Sequence, residues 1–205
     1  PGHFENPQRV AEDDAGNVYV ADYGNKRIQV FAPGNRNAPS NSIDTNEPPV
    51  LISAAAGMFA VSGGACNAIG LYLKQGSSFK LAANAQVAGQ ARAICLSPLG
   101  TFLFFACNDS LFRCPIVKRQ GELSIGKPVA LSESYMAQWP NVFFWNVGFS
   151  VGPGGEIFFP TDSSLKLFSL NSAKDLLRER GQLPGRMTSA AFGPDEALYA
   201  VGFGD

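Results

Sequence analysis

Residues 9–31 read RVAEDDAGNVYVADYGNKRIQVF and decide how the rest of the chain is read. An apolar run at Val10–Ala11 meets a turn at Asp13–Gly16, and an alternating segment follows at Val18–Asp22. A second turn spans Tyr23–Lys26, and a second alternating segment covers Arg27–Phe31. Period-two alternation punctuated by Gly and Asn marks strands joined by hairpins, because successive strand side chains point to opposite faces. Gly24 and Asn25 tolerate the positive φ of a tight turn, and Asp22 is placed to accept hydrogen bonds from that turn. Arg27 is positioned to pair with Asp22 across the hairpin, and a loose surface pair of this kind adds little stability. Asp22, Asn25 and Arg27 are therefore read as turn-forming residues.

The same outline returns around Gly57, Gly100, Gly155 and Glu196, at intervals of 41, 43, 55 and 41 residues. A period just above forty with strands at each recurrence suits one four-stranded propeller blade per repeat. The alternative is a β-sandwich with coincidental spacing. Superposing Gly16 on Gly100 without a gap sets Val18, Val20 and Ile28 on Phe102, Phe104 and Phe112, which are expected to face the packing surface between blades. On that alignment Asp22, Asn25 and Arg27 fall on Ala106, Asp109 and Leu111 in the third repeat, and on Gly63, Cys66 and Ala68 in the second. The apolar frame persists while the polar signature is lost.

Phe4, Pro7, Val10, the run Gly16–Asp22 and the run Gly24–Phe31 closely resemble the NHL repeat, a family of β-propeller blades. The resemblance is specific over about thirty residues and weak beyond them. It implies an all-β propeller of NHL type, with about five four-stranded blades visible and a ring of six or more. The repeats are placed at 4–49, 50–90, 91–140, 141–186 and 187–205, within a single propeller spanning 1–205. The last repeat lacks its outer strands, so the chain is expected to be a segment of a longer protein.

Composition agrees with that class. The 205 residues include 22 Gly, 14 Pro and 16 Phe, the makings of short packed strands and tight turns. Apolar residues at 45% suffice for a core, and a net charge of -1 argues against a polyanion as the main partner. No window reaches the roughly 18–20 apolar residues of a membrane helix. The ends of the chain do not reveal its compartment. Cys66, Cys95, Cys107 and Cys114 lack CxxC spacing and are read as buried thiols, with a disulfide and a metal site as weaker alternatives. Asn108-Asp109-Ser110 is a glycosylation sequon that matters only in a secreted chain.

Two stretches interrupt the repeat. Residues 33–49, PGNRNAPSNSIDTNEPP, read as an exposed loop between blades. The long third interval places about twelve extra residues within 118–146, and these hold Tyr135, Met136, Trp139, Phe143, Phe144 and Trp145. Aromatic and Met side chains with a polar margin have the composition of a contact site, although Phe143–Trp145 also suits a core strand. A short helix is expected over Ala173–Arg180, with Ser172 as N-cap and Asp175 as its N3 partner.

Catalysis finds little purchase. His3 is the only histidine, and no nucleophile and base can be assembled around it. The resemblance brings in propeller relatives such as lactonases, strictosidine-synthase-like enzymes and amidating lyases, which bind a metal in the central channel. Here Glu12, Asp13, Asp14, Asn84, Asn146, Asp162 and Asp195 are scattered, and most lie at turn markers where Asp and Asn are expected anyway. Some NHL propellers bind RNA, but Lys118, Arg119, Lys174, Arg178, Arg180 and Arg186 are thinly spread or mixed with Asp175 and Glu179. The expected function is a non-catalytic scaffold for other proteins, needing no cofactor, with the 33–49 loop and the aromatic insert as contacts. A metal-dependent hydrolase or lyase is the alternative, and RNA binding the third reading.

Overall fold

The computed structural model describes residues 3–64, 67–107, 110–119, 122–131, 149–160, 164–171, 176–185, 187–192 and 197–202. Every regular element among them is a strand, arranged in antiparallel sheets of sequence neighbours. The first sheet takes β1 (Pro7–Glu12), β2 (Val18–Asp22), β3 (Arg27–Phe31) and β4 (Asn41–Asp44) in that order. The second takes β5 (Pro49–Ala55), β6 (Met58–Gly63), β7 (Ala68–Gln75) and β8 (Ser78–Gln86). The third contains β9 (Ala91–Leu96), β10 (Phe102–Cys107), β11 (Ser110–Arg119), β12 (Glu122–Ile125) and β13 (Val129–Ala130). Both β12 and β13 pair with β11, so together they form one outer strand interrupted at Gly126–Pro128. The fourth sheet is β14 (Ser150–Val151), β15 (Glu156–Pro160), β16 (Ser164–Asn171) and β17 (Leu176–Pro184). A two-stranded sheet, β18 (Met187–Phe192) and β19 (Leu198–Gly202), follows.

Neighbouring sheets bury their faces against one another. Between the first and second lie Tyr19, Ala21, Ile28 and Val30 against Ile52, Phe59, Val61 and Phe79. Phe59 stacks on Tyr72 at 4.7 Å between ring centroids and meets Tyr19 at 5.3 Å. Met58, Ala60, Ile69 and Leu71 turn the other way, toward Leu103, Phe105 and Cys114. Phe104, Ala106 and Leu111 then pack on Ile157, Phe159 and Phe168. Strands that are apolar on both faces are what a stack of sheets requires, and each such buried side chain contributes roughly 1.5–3 kcal/mol.

Register corrects the gap-free alignment of the first and third repeats. Glu12 pairs with Val18 across the first inner turn, whereas Leu96 pairs with Leu103 across the third, which is one residue longer. Val18 and Val20 therefore correspond to Leu103 and Phe105, not to Phe102 and Phe104. Ile28 lies opposite Ala21 and shares its face, so it does not sit with Val18 and Val20. Asp22 and Arg27 correspond to the pair Cys107 and Ser110 rather than to Ala106 and Leu111. A single-residue slip exchanges every side chain between the two faces of a blade.

Other expectations change as well. Within 33–49, Asn41–Asp44 is the outer strand of the first sheet and Pro49 begins the second. Within 118–146, residues 122–125 and 129–130 build the broken outer strand. The helix expected at Ala173–Arg180 is replaced from Leu176 onward by β17, which pairs with β16 along its whole length; residues 172–175 lie outside the described residues. A helix there would have left the edge of β16 unpaired. Of the charges that suggested a helix face, Arg178, Glu179 and Arg180 lie on this outer strand, where Glu179 meets Lys166 Nζ of β16 at 3.2 Å, while Lys174, Asp175 and Arg186 lie outside the described residues.

The first blade carries a polar clasp. Asp22 is fully buried and accepts hydrogen bonds from the Glu5 N–H (2.8 Å), Arg27 Nε (2.8 Å), Asn25 Nδ2 (2.9 Å) and Gln29 Nε2 (2.9 Å). The pair with Arg27 is thus a buried framework contact and not the loose surface bridge expected from sequence. Burial alone would push the Asp22 carboxyl up, but the Glu5, Arg27, Asn25 and Gln29 donors outweigh it and hold it below its usual range. Arg27 Nη2 also donates to the His3 carbonyl at 2.7 Å, and the Gly24 N–H to the Glu5 carbonyl at 2.8 Å, tying the N-terminal segment to the β2–β3 turn.

Replacing Asp22 by Asn turns an NH2 group toward donors and should cost about 2–4 kcal/mol in urea unfolding at pH 7. Since the folded carboxyl titrates below its unfolded value of about 3.9, its contribution is complete above that pH and is lost as pH falls through the folded value. The gap between wild type and Asp22→Asn should accordingly close in acid, and a gap that persists there would disprove the electrostatic account. At the inner turns, Gly57 and Gly100 have φ of 71° and 63°. A Cβ on Gly57 meets nothing within 4 Å, but one on Gly100 comes within 2.8 Å of Ala56 Cβ and 3.0 Å of Met58 Cε. Gly57→Ala should cost about 1 kcal/mol and Gly100→Ala about 2–3 kcal/mol, from backbone strain alone and from strain plus overlap respectively.

Candidate functional site

The innermost strands β1, β5, β9, β14 and β18 line a cavity of about 730 Å³. The wall is mainly apolar, with Val10, Ala54, Ala93, Ile94 and Val151 among its residues. Among the described residues, its charged side chains come from the first sheet and the turn after β1: Arg9, Glu12, Asp13 and Asp14. The other sheets add Ser53, Cys95 and Ser150 as polar side chains.

The acidic residues have structural tasks. Asp13 Oδ1 accepts from the N–H groups of Ala15 (3.1 Å) and Asn17 (2.8 Å), and Asn17 Nδ2 reaches both carboxylate oxygens. Tyr19 donates its hydroxyl to Asp13 Oδ2 at 2.8 Å from a fully buried ring. Burial and then the Asp13 carboxylate raise the Tyr19 pKa, so the phenol stays a donor. Asp14 Oδ1 accepts the Ala56 N–H at 3.1 Å, and Lys118 Nζ donates to the Ala56 carbonyl at 3.2 Å. The β5–β6 turn is thereby held from both neighbouring sheets. Glu12 lies at 3.8 Å from Arg36 at the surface.

Ser53 Oγ accepts the Leu96 N–H at 2.9 Å, joining the second and third inner strands. Burial pushes the Cys95 thiol up to about 11, against hydrogen bonds from the Val151 backbone and Ser53. Burial likewise pushes the Cys114 thiol up to about 11. Neither supplies a thiolate nucleophile at neutral pH. Cys107 is buried, and Cys66 lies outside the described residues.

Antiparallel order divides the remaining candidates between two faces. The turns β1–β2 and β3–β4 emerge on one face, while β2–β3 and the crossings from an outer strand to the next inner strand emerge on the other. Asp22, Asn25 and Arg27 belong to the second face. The stretch 33–40 opens on the first, where Asn41 Nδ2 reaches the Ser77 carbonyl at 2.6 Å. Tyr135, Met136, Trp139 and Phe143 lie outside the described residues; the flanking strand ends, Ala130 and Ser150, are on the second face. Asn84 is on the outer strand β8, away from the channel, while Asn108, Asn146, Asp162 and Asp195 fall outside the described residues. His3 contributes its exposed backbone carbonyl to the clasp. Sequence reasoning missed Arg9, Ser53, Cys95 and Ser150 as channel residues, and their shared signal is position in the first strand of a repeat.

The NHL repeat model matches residues 4–31. No curated protein sequence matches the chain. Among solved structures, hydrazine synthase from Kuenenia stuttgartiensis is similar with a TM-score of 0.65 and 10% identity, covering 95% of this chain and 55% of that one. A protein from Lactobacillus plantarum gives a TM-score of 0.65 at 14% identity, covering 96% of this chain and 64% of that one. Virginiamycin B lyase from Staphylococcus aureus gives 0.57 at 11% identity, with 96% and 63% covered. The chain thus spans less than two thirds of the length of each of these structures, and at such identities the likeness speaks for fold alone. The match over β1–β3, the serial four-stranded sheets and the channel between their inner strands identify the chain as a β-propeller whose first blade is an NHL repeat.

Proposed function

We propose that the chain is a non-catalytic interaction module in which stiff blades carry loops that select a protein partner. The observation behind this reading is how the channel carboxylates are used. Asp13 is occupied by the β1–β2 turn and Tyr19, Asp14 by Ala56, and among the described residues the inner strands of the other sheets bring no further acidic group to the wall. Among the described residues, no three His, Cys, Asp or Glu side chains come together at metal-ligand spacing. Hydrolysis or elimination in a propeller channel requires groups converging from several blades, so the metal-dependent enzyme remains the weaker reading. RNA binding is also weaker: Lys118 is engaged with Ala56, and Lys166 with Glu179.

The contact assigned to this module is the segment between β13 and β14, with Tyr135 and Trp139 as anchors and Met136 and Phe143 beside them. Its support is composition and placement: aromatic anchors in a long connection between rigid sheets are suited to filling a partner's pockets. The tagged chain serves as bait in native extract, with co-purifying proteins quantified by mass spectrometry. A Tyr135→Ala, Trp139→Ala double variant should retain the urea midpoint of the wild type and lose about tenfold or more of a specific partner, as expected for hot-spot residues. Equal recovery with both baits would remove the segment as the contact.

A further inference from the structure

Arg9 is left unexplained by the scaffold. Register pairs it with Ala21 on the second-blade side of β1, and its part-buried side chain lines the channel. The other arginines of the first blade are engaged: Arg27 with Asp22 and His3, and Arg36 with the Phe31 and Gly16 carbonyls. Arg9 has no hydrogen-bond or ion-pair partner among the described residues. The acidic groups that share its cavity are committed to Tyr19, Asn17 and Ala56 in the case of Asp13 and Asp14, and lie toward Arg36 in the case of Glu12. They also lie three to five residues along the chain, with Glu12 about 10 Å away at strand rise. Partial burial lowers the Arg9 pKa by desolvation.

We infer that the channel binds a small organic carboxylate, with Arg9 taking its two oxygens and the apolar inner strands covering its hydrocarbon part. A guanidinium offers a planar fork of N–H donors that matches a carboxylate in bidentate fashion. It stays charged throughout the working pH range, so an unpaired, part-buried one keeps N–H donors available to an incoming acceptor. Val10, Leu51, Ile52, Ala54 and Ala93 supply the apolar wall, and a cavity of about 730 Å³ lies within the range of ordinary small-molecule sites. Glu12 and Asp14 at the opposite mouth set the direction of the ligand, because they repel an anion at their own end. This site is independent of the partner contact between β13 and β14, since the two use different residues and different readouts.

The test is calorimetric titration of the purified chain with benzoate and octanoate, using benzamide and octanamide as neutral counterparts. Saturable binding of a carboxylate is expected, with its amide weaker by about tenfold or more. Arg9→Gln should reduce carboxylate affinity by a similar factor, and Arg9→Lys, which keeps the charge but loses the fork, should fall between the two. With no partner to lose and a desolvation cost removed, Arg9→Gln should leave the urea midpoint of the unliganded chain no lower than that of the wild type. Absence of saturable carboxylate binding, equal binding to Arg9→Gln, equal binding of the amides, or a lower unliganded midpoint in Arg9→Gln would each overturn the assignment.

Discussion

Everything in this fold depends on burying both faces of each inner sheet. In an ordinary amphipathic sheet one side meets water, so alternation separates apolar from polar positions. Here Phe59 and Val61 look toward Tyr19 and Ala21, while Met58 and Ala60 on the same strand look toward Leu103 and Phe105. The second strand of a blade must therefore be apolar almost without interruption, as MFAV at 58–61 and FLFFAC at 102–107 are. The first blade is the instructive exception. Its β2 and β3 present Tyr19, Ala21, Ile28 and Val30 to the second blade, but Asp22 and Gln29 to the opposite side. A buried carboxylate there is tolerable only because four neighbours donate to it, and His3–Glu5 closes over the group.

That exception explains why the sequence was most legible in its first thirty residues. A buried Asp needs an Asn, an Arg and a Gln at fixed offsets, so Asp22, Asn25, Arg27 and Gln29 leave a written signature. The later blades bury the corresponding face through apolar contacts. Many combinations of Leu, Phe and Cys satisfy that demand, and the pattern dissolves. The period remained visible because Gly16, Gly57, Gly100 and Gly155 all occupy positive φ at the inner turn. What the period does not carry is turn length. The extra residue between Leu96 and Leu103 is invisible to spacing between glycines, and it inverts the assignment of Phe102 and Phe104. The outer strands were the least legible elements. Asn41–Asp44 and Leu176–Pro184 are rich in polar and charged residues, as suits strands with one solvated edge, and local pattern alone reads them as loop and helix.

The channel was the least legible site, for a related reason. Its residues are contributed one or two per repeat by strands whose sequences differ, so no linear motif gathers Arg9, Ser53, Cys95 and Ser150. Charge gave a misleading lead. Glu12, Asp13 and Asp14 form an acidic run beside a turn, and only geometry shows that Asp13 organises that turn while Asp14 holds the neighbouring Ala56. The two carboxylates divide the labour: Asp13 fixes its own blade through Ala15, Asn17 and Tyr19, and Asp14 ties that blade to the next through Ala56.

Arg9 differs from those groups in sign and in occupation. A framework residue is recognised by the contacts that its removal would break, as with Asp13 or Asp22. A binding residue is recognised by capacity left unused, and a guanidinium held against apolar strands has several N–H donors to spend. Retaining a charge in such a place costs desolvation without a compensating internal bond. The residue is thus out of keeping with stability alone. Among the described lining residues Arg9 is the one cation without an internal partner, which suits it to orienting the carboxylate proposed for this cavity.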